Sequence, residues 1–381
     1  MPVDVVSFNA AEPDLTSRAI RDFRRLPRPD LDPARFVDEL SELLRRGGHD
    51  MLIPADDQAL MATTRHYYEL SNLAHLACPP PPITALILDK LSTLEAAQKC
   101  GIPIPHTKLI SNTKQLADFS SNFPFPWVLK PARKELHLEE NKSLTFATPD
   151  EVIAKFPIAQ EFTPPMLLQE FCTGEGVGVE VLMHEGQTLA VFQHRRLQEL
   201  PYTGGYSVTA VAEQPNRELV EQALALLRAL QWEGPAMVEF KGNTRNGGAI
   251  LMEVNGRYWG TIALPIFAGI DFPLYQWQLI HGEVPAVPGH CAVGTKWRWT
   301  AGHLGRFNGL LLAARRSDLA RRELLLSVLQ LPATFAPWIH DALFSLSDPM
   351  PAILELLQAF KYYLSDDWKA LFRRVSRHRA S

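Results

Sequence analysis

Cysteine is scarce in this 381-residue chain: Cys78, Cys100, Cys172 and Cys291 stand far apart and form no C-x-x-C pair. That argues against a zinc ribbon, a redox dithiol and a secreted disulfide scaffold, and reads each thiol as a small buried hydrophobe. No apolar run approaches the roughly 18 to 20 residues of a membrane span, and Met1-Pro2-Val3-Asp4 opens without a basic stretch followed by an apolar one. A cytoplasmic protein without stable membrane insertion is expected. Positive charge is not in excess: 38 Lys+Arg against 42 Asp+Glu give a net charge of -4, so no global field attracts a nucleic-acid backbone and no nucleic-acid partner is expected. There is no internal repeat and no long low-complexity segment. What is present is 46% apolar residues over a length that predicts two or three domains.

Residues 1–83 alternate short apolar strands with an amphipathic stretch. Val3 to Phe8 comes first, then Phe36, Leu40, Leu43 and Leu44 at helical spacing, then Met51-Leu52-Ile53-Pro54. The pattern predicts a small, partly open parallel α/β unit, and the proline run Pro79 to Pro82 marks its boundary. A single helix is expected from Thr84 through Ile87, Leu91, Leu94 and Ala97, with Asp89 and Lys90 on its polar face and Gly101 as its left-handed cap. Trp127-Val128-Leu129-Lys130 reads as a strand stopped by Pro131, and Thr148-Pro149-Asp150-Glu151 as a capping box opening a short helix. Met166 to Phe171 is a further strand, Val177 to Met183 pairs with Thr188 to His194, and residues 217–231 form an amphipathic helix. From about 286 the chain is rich in helix formers and tryptophan, and it ends in a basic tail, Lys369 to Arg379. That tail is either solvated or a weak, salt-sensitive contact for anionic lipid or nucleic acid. The division expected is 1–83, 84–285 and a mainly helical 286–381.

The most informative segment is a second hairpin, Ala236 to Lys241 with Ala249 to Asn255. Side chains two apart on a strand share a face, so Glu253, Asn255 and Arg257 point together. With the turn centred near Asn246, Glu239 lies opposite Glu253. Two carboxylates across a ladder repel unless a cation sits between them, and Mg²⁺ prefers such hard oxygen ligands together with substrate phosphates. Glu239, Glu253 and Asn255 are therefore the candidate metal ligands, with Arg257 facing the same phosphates. The bland alternative is a half-solvated polar face; against it, Val238, Phe240, Met252 and Val254 fill the other side. Lys90 and Lys130 are candidate phosphate contacts. Gln169-Glu170-Phe171-Cys172 runs as a strand edge into Gly174-Glu175-Gly176, an edge suited to reading an adenine.

In order, Asp89-Lys90, Val128-Leu129-Lys130-Pro131, Leu168-Gln169-Glu170-Phe171, Glu239 and Met252-Glu253-Val254-Asn255-Gly256-Arg257 resemble the ATP-grasp superfamily over roughly residues 45–285. The resemblance implies an α/β and α+β architecture: a shortened N-terminal α/β (pre-ATP-grasp) domain, an ATP-grasp domain with a lid at about 125–172, and a C-terminal helical region. It implies ATP and Mg²⁺, with Mn²⁺ an alternative, as cofactors. Lys90 and Lys130 would hold phosphate, Glu239, Glu253 and Asn255 would hold metal, and Gln169, Glu170, Phe171 and Cys172 would line the adenine pocket.

Gln193-His194-Arg195-Arg196-Leu197-Gln198-Glu199 is similar to a segment of biotin carboxylase. Leu197 and Glu199 depart from it, as does Tyr258-Trp259-Gly260-Thr261 after the shared arginine, which argues against biotin chemistry. The stretch on to Tyr206 more nearly resembles carboxylate-amine ligases. It is either the border of an acyl-acceptor pocket or a solvated charged loop. Arg257 and Arg196 are the candidate catalytic residues, and His194 is either a base for the amine or a structural histidine. The expected activity is ATP-dependent ligation of a small-molecule carboxylate to an amine through an acyl-phosphate; the competing expectation is a non-catalytic ATP-binding module. Two departures stand out. The loop Ala132 to Asn141 has no glycine, so Arg133 and Lys134 would serve the phosphates there, and the first unit starts at what resembles the second strand of the usual preceding domain.

Overall fold

The computed structural model describes residues 2–8, 13–119, 125–134, 143–156, 160–243, 248–315 and 317–365. Most of the glycine-free loop, the turn at Asn246 and the basic tail lie outside the described residues.

The first unit is built on two small parallel pairs, β1 (Val3–Ser7) with β2 (Ile20–Arg25) and β3 (Met51–Leu52) with β4 (His75–Leu76). α1 (Pro33–Gly47) begins where Asp32 accepts the Arg35 N–H and ends before left-handed Gly48. Its Phe36, Val37, Leu40 and Leu44 pack with Leu60 of α2 (Asp57–Arg65) and Leu70 of α3 (Tyr67–Leu70).

Where the sequence suggests one helix from Thr84, the chain makes two, α4 (Pro81–Leu88) and α5 (Lys90–Lys99). Asp89 leaves helical geometry at φ -95°, ψ 108°, and its carboxylate caps α5 by accepting the Ser92 N–H at 3.0 Å. A side chain able to cap competes with helix continuation. The break places Lys90 at the head of α5 rather than on a mid-helix face. Pro81 and Pro82 form the first turn of α4, where proline's missing N–H is no loss.

A four-stranded antiparallel sheet follows, in the order β5-β8-β6-β7. It comprises β5 (Thr107–Asn112), β6 (Trp127–Pro131), β7 (Leu144–Phe146) and β8 (Glu161–Glu170), with α6 (Thr113–Phe119) and α7 (Pro149–Lys155) alongside. It takes in Thr107–Asn112 as well as the 125–172 segment. Its core gathers Ile110, Leu116, Trp127, Leu129 and Leu168.

The largest sheet has seven strands in the order β13-β12-β9-β10-β11-β14-β15. These are β9 (Glu175–His184), β10 (Gln187–Leu200), β11 (Tyr206–Glu213), β12 (Gly234–Asn243), β13 (Gly248–Asn255), β14 (Lys296–Arg298) and β15 (His340–Asp341). One face packs Val177, Val179 and Val238 under α8 (Arg217–Ala229), whose Leu219, Leu226 and Leu227 are buried. Alternation leaves Gly178, Glu180 and Met237 for the other face. There α9 (Ala263–Phe267) and α10 (Phe272–Ile280) pack Leu264, Phe272 and Tyr275 with Phe192 and Met237. Further helices are α11 (Thr300–Ala313), α12 (Asp318–Leu329), α13 (Leu331–Thr334) and α14 (Met350–Ser365). The C-terminal region is thus mainly helical but also supplies β14 and β15 to the main sheet. No helix among the described residues is long and apolar enough to cross a membrane. All four cysteines are unpaired; Cys78 and Cys172 are buried and Cys100 and Cys291 half-buried.

Candidate active site

Strand register sets one row across the main sheet: Glu253 of β13 opposite Glu239 of β12, Glu239 opposite Gly178 of β9, and Gly178 opposite His194 of β10. The hairpin therefore closes with the two glutamates directly paired. Asn255 bridges them, its Nδ2 donating to Glu239 Oε1 at 2.9 Å and to Glu253 Oε1 at 3.2 Å.

The bare positions on β9 make this row possible. A Cβ at 178 would stand 2.5 Å from His194 Cε1, and one at 176 would stand 2.9 Å from Arg196 Cδ. Across the trough left by the two glycines, Arg196 reaches Glu239, Nη2 to Oε2 2.7 Å. Its Nη1 donates to Glu199 at 3.3 Å and to the Gly205 carbonyl at 3.0 Å. Burial works against the Arg196 charge, but Glu239 and Glu199 outweigh it and raise its pKa. His194 is buried in the same trough with Nδ1 hydrogen-bonded to Glu180, while His194 Nε2, Glu180 Oε2 and Arg196 Nε are buried without hydrogen-bond partners among the described residues. Burial pushes the Glu180 carboxyl upward against the pull of His194.

Cations ring the glutamates. Lys130, on the last turn of strand before Pro131, is 8% exposed; burial and neighbouring Lys90 bring its ammonium down to about 8, against the pull of Glu253 and Glu239. Lys90 is lowered mainly by burial and donates to the Pro131 carbonyl at 3.2 Å. Lys134 reaches Asn255 Oδ1 at 3.1 Å and Asp57 Oδ1 at 3.3 Å. Burial would raise Glu253, yet Lys134, Lys90 and Lys130 bring it down to about 2. Arg257 does not point freely into the site: Asp57 at the head of α2 holds it through Nε at 3.1 Å and Nη2 at 2.9 Å. Arg133 lies beside, paired with Asp89 at 3.2 Å.

Gln169, Glu170, Phe171 and Cys172 lie at the end of β8, in the connection to β9. The two polar side chains are already engaged: Gln169 Nε2 donates to Thr107 Oγ1 at 2.7 Å, and Glu170 Oε1 accepts the His106 N–H at 3.0 Å. Lys241 stands 5.5 Å from the centroid of the Phe171 ring, and Cys172 is buried. The glycine turn that follows is a close approach, since a Cβ on Gly174 (φ +115°) would lie 2.7 Å from Gly242 Cα.

A strand carrying Lys130, a second lysine heading a helix, and a Glu/Glu/Asn hairpin face one another across two sheets. A family model described as "ATP-grasp in the biosynthetic pathway with Ter operon" matches residues 162–302. Among solved structures, biotin carboxylase from Campylobacter jejuni superposes with a TM-score of 0.59 at 11% identity, covering 77% of this chain and 68% of that one. An L-amino acid ligase from Bacillus licheniformis superposes with a TM-score of 0.53 at 19% identity, covering 69% and 64%. The chain has the ATP-grasp fold. A D-alanine–D-alanine ligase from Paracidovorax citrulli is 21% identical over 187 residues, 45% of this chain, and the chain spans about half, 54%, of that relative's length.

The donor set suits what an ATP-grasp site would receive. Among the described residues no three His, Cys, Asp or Glu side chains group as a metal centre, but two carboxylates with the Asn255 amide do converge, and turning that amide over would present its oxygen. Crowding of Lys90, Lys130 and Lys134 is the kind of positive potential that a polyphosphate relieves. Two residues escaped the sequence reading. Glu180 had a legible signal, a lone acid in the strand Val177 to Met183, with His194 across the hairpin. Asp57 had none, because its partner Arg257 is 200 residues away.

Proposed function

We propose that this ATP-grasp chain is an ATP- and Mg²⁺-dependent ligase that activates a small-molecule carboxylate as an acyl-phosphate and passes the acyl group to an amine. The observation that carries the reading is the Glu239–Glu253 cross-strand pair, tied by Asn255 and ringed by Lys90, Lys130 and Lys134. Glu239, Glu253 and Asn255 would hold Mg²⁺ (or Mn²⁺), which when bound offsets phosphate charge. Half-buried Lys90 and buried Lys130 bind phosphate as point charges, and Lys134 swings from Asn255 to join them. Recognition of adenine falls to Phe171 and Cys172, since the side chains of Gln169 and Glu170 are engaged with β5 and its lead-in. Arg257 and Arg196 flank the carboxylates and steady the negative charge that develops on the transferred phosphoryl and acyl groups. The β6-containing sheet closes over the site and excludes water that would hydrolyse an acyl-phosphate. We place this chemistry in the cytoplasm.

The test is ADP release with pools of carboxylates and amines, with hydroxylamine added to trap acyl-phosphate. Glu253→Gln abolishes turnover while circular dichroism shows the fold intact. ATP consumption by that variant at the wild-type rate would sink the metal assignment.

A further inference from the structure

Lys134 is tied down at both ends. Its backbone N–H donates to the Leu88 carbonyl at 3.0 Å, beside the bridge between Arg133 and Asp89, which anchors the main chain at the break between α4 and α5. Its side chain, 7% exposed, directs the three donors of an ammonium at Asn255 Oδ1 at 3.1 Å, Asp57 Oδ1 at 3.3 Å and the Val254 carbonyl at 3.4 Å. These contacts set the sense of the Asn255 amide. Asn255 is buried, and its Nδ2 donates to Glu239 and Glu253 while its Oδ1 accepts from Lys134. Turned over with its neighbours in place, the amide would put oxygen against carboxylates and N–H against an ammonium. It can turn only when its partners on both sides change together.

A divalent cation on Glu239 and Glu253 is such a change on one side, because it takes the amide oxygen and rejects the N–H. On the other side Lys134 must then leave, since an ammonium cannot face an amide N–H. A polyphosphate provides that second change by attracting the ammonium away from Asn255 toward Lys90 and Lys130. We propose that Lys134 and Asn255 form a two-position switch in which the ammonium competes with the metal for the Asn255 oxygen, so that the metal site becomes competent when nucleotide phosphates draw Lys134 off. Resting on Glu239, Glu253 and Asn255 as the metal ligands of the proposed ligase, the switch adds an order to them: nucleotide enters ahead of the metal or together with it. Linkage makes the effect reciprocal, each ligand tightening the other through Lys134 beyond their direct attraction.

The experiment is equilibrium dialysis of the full chain against Mn²⁺, alone and with a saturating non-hydrolysable ATP analogue, bound metal being the excess over the protein-free chamber. Lys134→Met removes the ammonium and keeps an unbranched chain; it should bind Mn²⁺ alone roughly tenfold more tightly than the wild type, within the span usual for coupled sites. Lys134→Gln, a shorter neutral variant, should show the same gain, and Lys134→Arg, which keeps the charge, should bind as the wild type does. With the analogue present the gain should vanish, because in the wild type the ammonium has then already left Asn255. Mn²⁺ alone binding no more tightly to the neutral variants than to the wild type would overturn the switch. So would a gain of the same size with and without the analogue, which is simple charge repulsion. Mn²⁺ bound by none of the proteins even with the analogue would instead remove the metal assignment, and the switch with it.

Discussion

Asp57→Asn keeps the shape of the residue that joins the first unit to the site and removes its charge. Asp57 is 31% exposed at the side chain and takes two bonds from Arg257, at 3.1 and 2.9 Å, and one from Lys134 at 3.3 Å. Burial favours the neutral acid, but Lys134 and Arg257 bring its pKa from 3.8 to about 2. At about 1.4 kcal/mol per pH unit, the folded state prefers the carboxylate by roughly 2 kcal/mol. Because the folded pKa is depressed, this stability is fully present above pH 3.8 and disappears as pH falls through about 2. Urea unfolding followed by tryptophan fluorescence should therefore show the variant about 2 kcal/mol less stable at neutral pH, with the gap narrowing below about pH 4. Equal stability at pH 7, or a gap of the same size at about pH 2.5, would refute the reasoning.

Lys130 gives a pH signature in a different range, read in ligand affinity as well as stability. Its folded pKa of about 8 lies below 10.5, so ATP affinity, measured by calorimetry, should fall as pH rises through 8, while stability rises between 8 and 10.5 because the unfolded chain holds that proton more tightly. Affinity unchanged across that range would remove Lys130 from the phosphate contacts. Gly178→Ala sets a methyl 2.5 Å from the buried His194 ring, in a backbone conformation any residue adopts. It should cost about 1 to 3 kcal/mol by overpacking, read as a lowered urea midpoint with strand content retained; an unchanged midpoint would mean the row has room to spare.

Part of the site was legible because it is local. Alternation along one hairpin leads to the expectation that Glu239 faces Glu253; nearer the turn the ladder pairs Lys241 with Ile250 and Phe240 with Leu251, and it is a register irregularity between Phe240 and Glu239 that brings Glu239 opposite Glu253. Lys130 could be read from an apolar strand ending at Pro131. The same local pattern predicts a single helix through Asp89, because apolar spacing continues across it, but the chain breaks there to use the carboxylate as a cap. The polar, glycine-containing run before Tyr206 gives no sign of the strand that follows it, whereas pairing with β10 and β14 orders Tyr206–Glu213 inside the sheet.

The sequence by itself determined the elements whose pattern repeats within a dozen residues: the short strands, the stripe of α8, the acidic hairpin and the resemblance carried by Glu253-Val254-Asn255-Gly256-Arg257. Tertiary structure alone decided which distant groups meet. Strand order brings Arg196 to Glu239 across the bare glycines of β9, and docking of α2 brings Asp57 to Arg257 and Lys134. Periodicity records which face a side chain is on. It carries no information about which element packs against that face, and the charge state of Lys130, Glu253 and Asp57 depends on those neighbours and on burial.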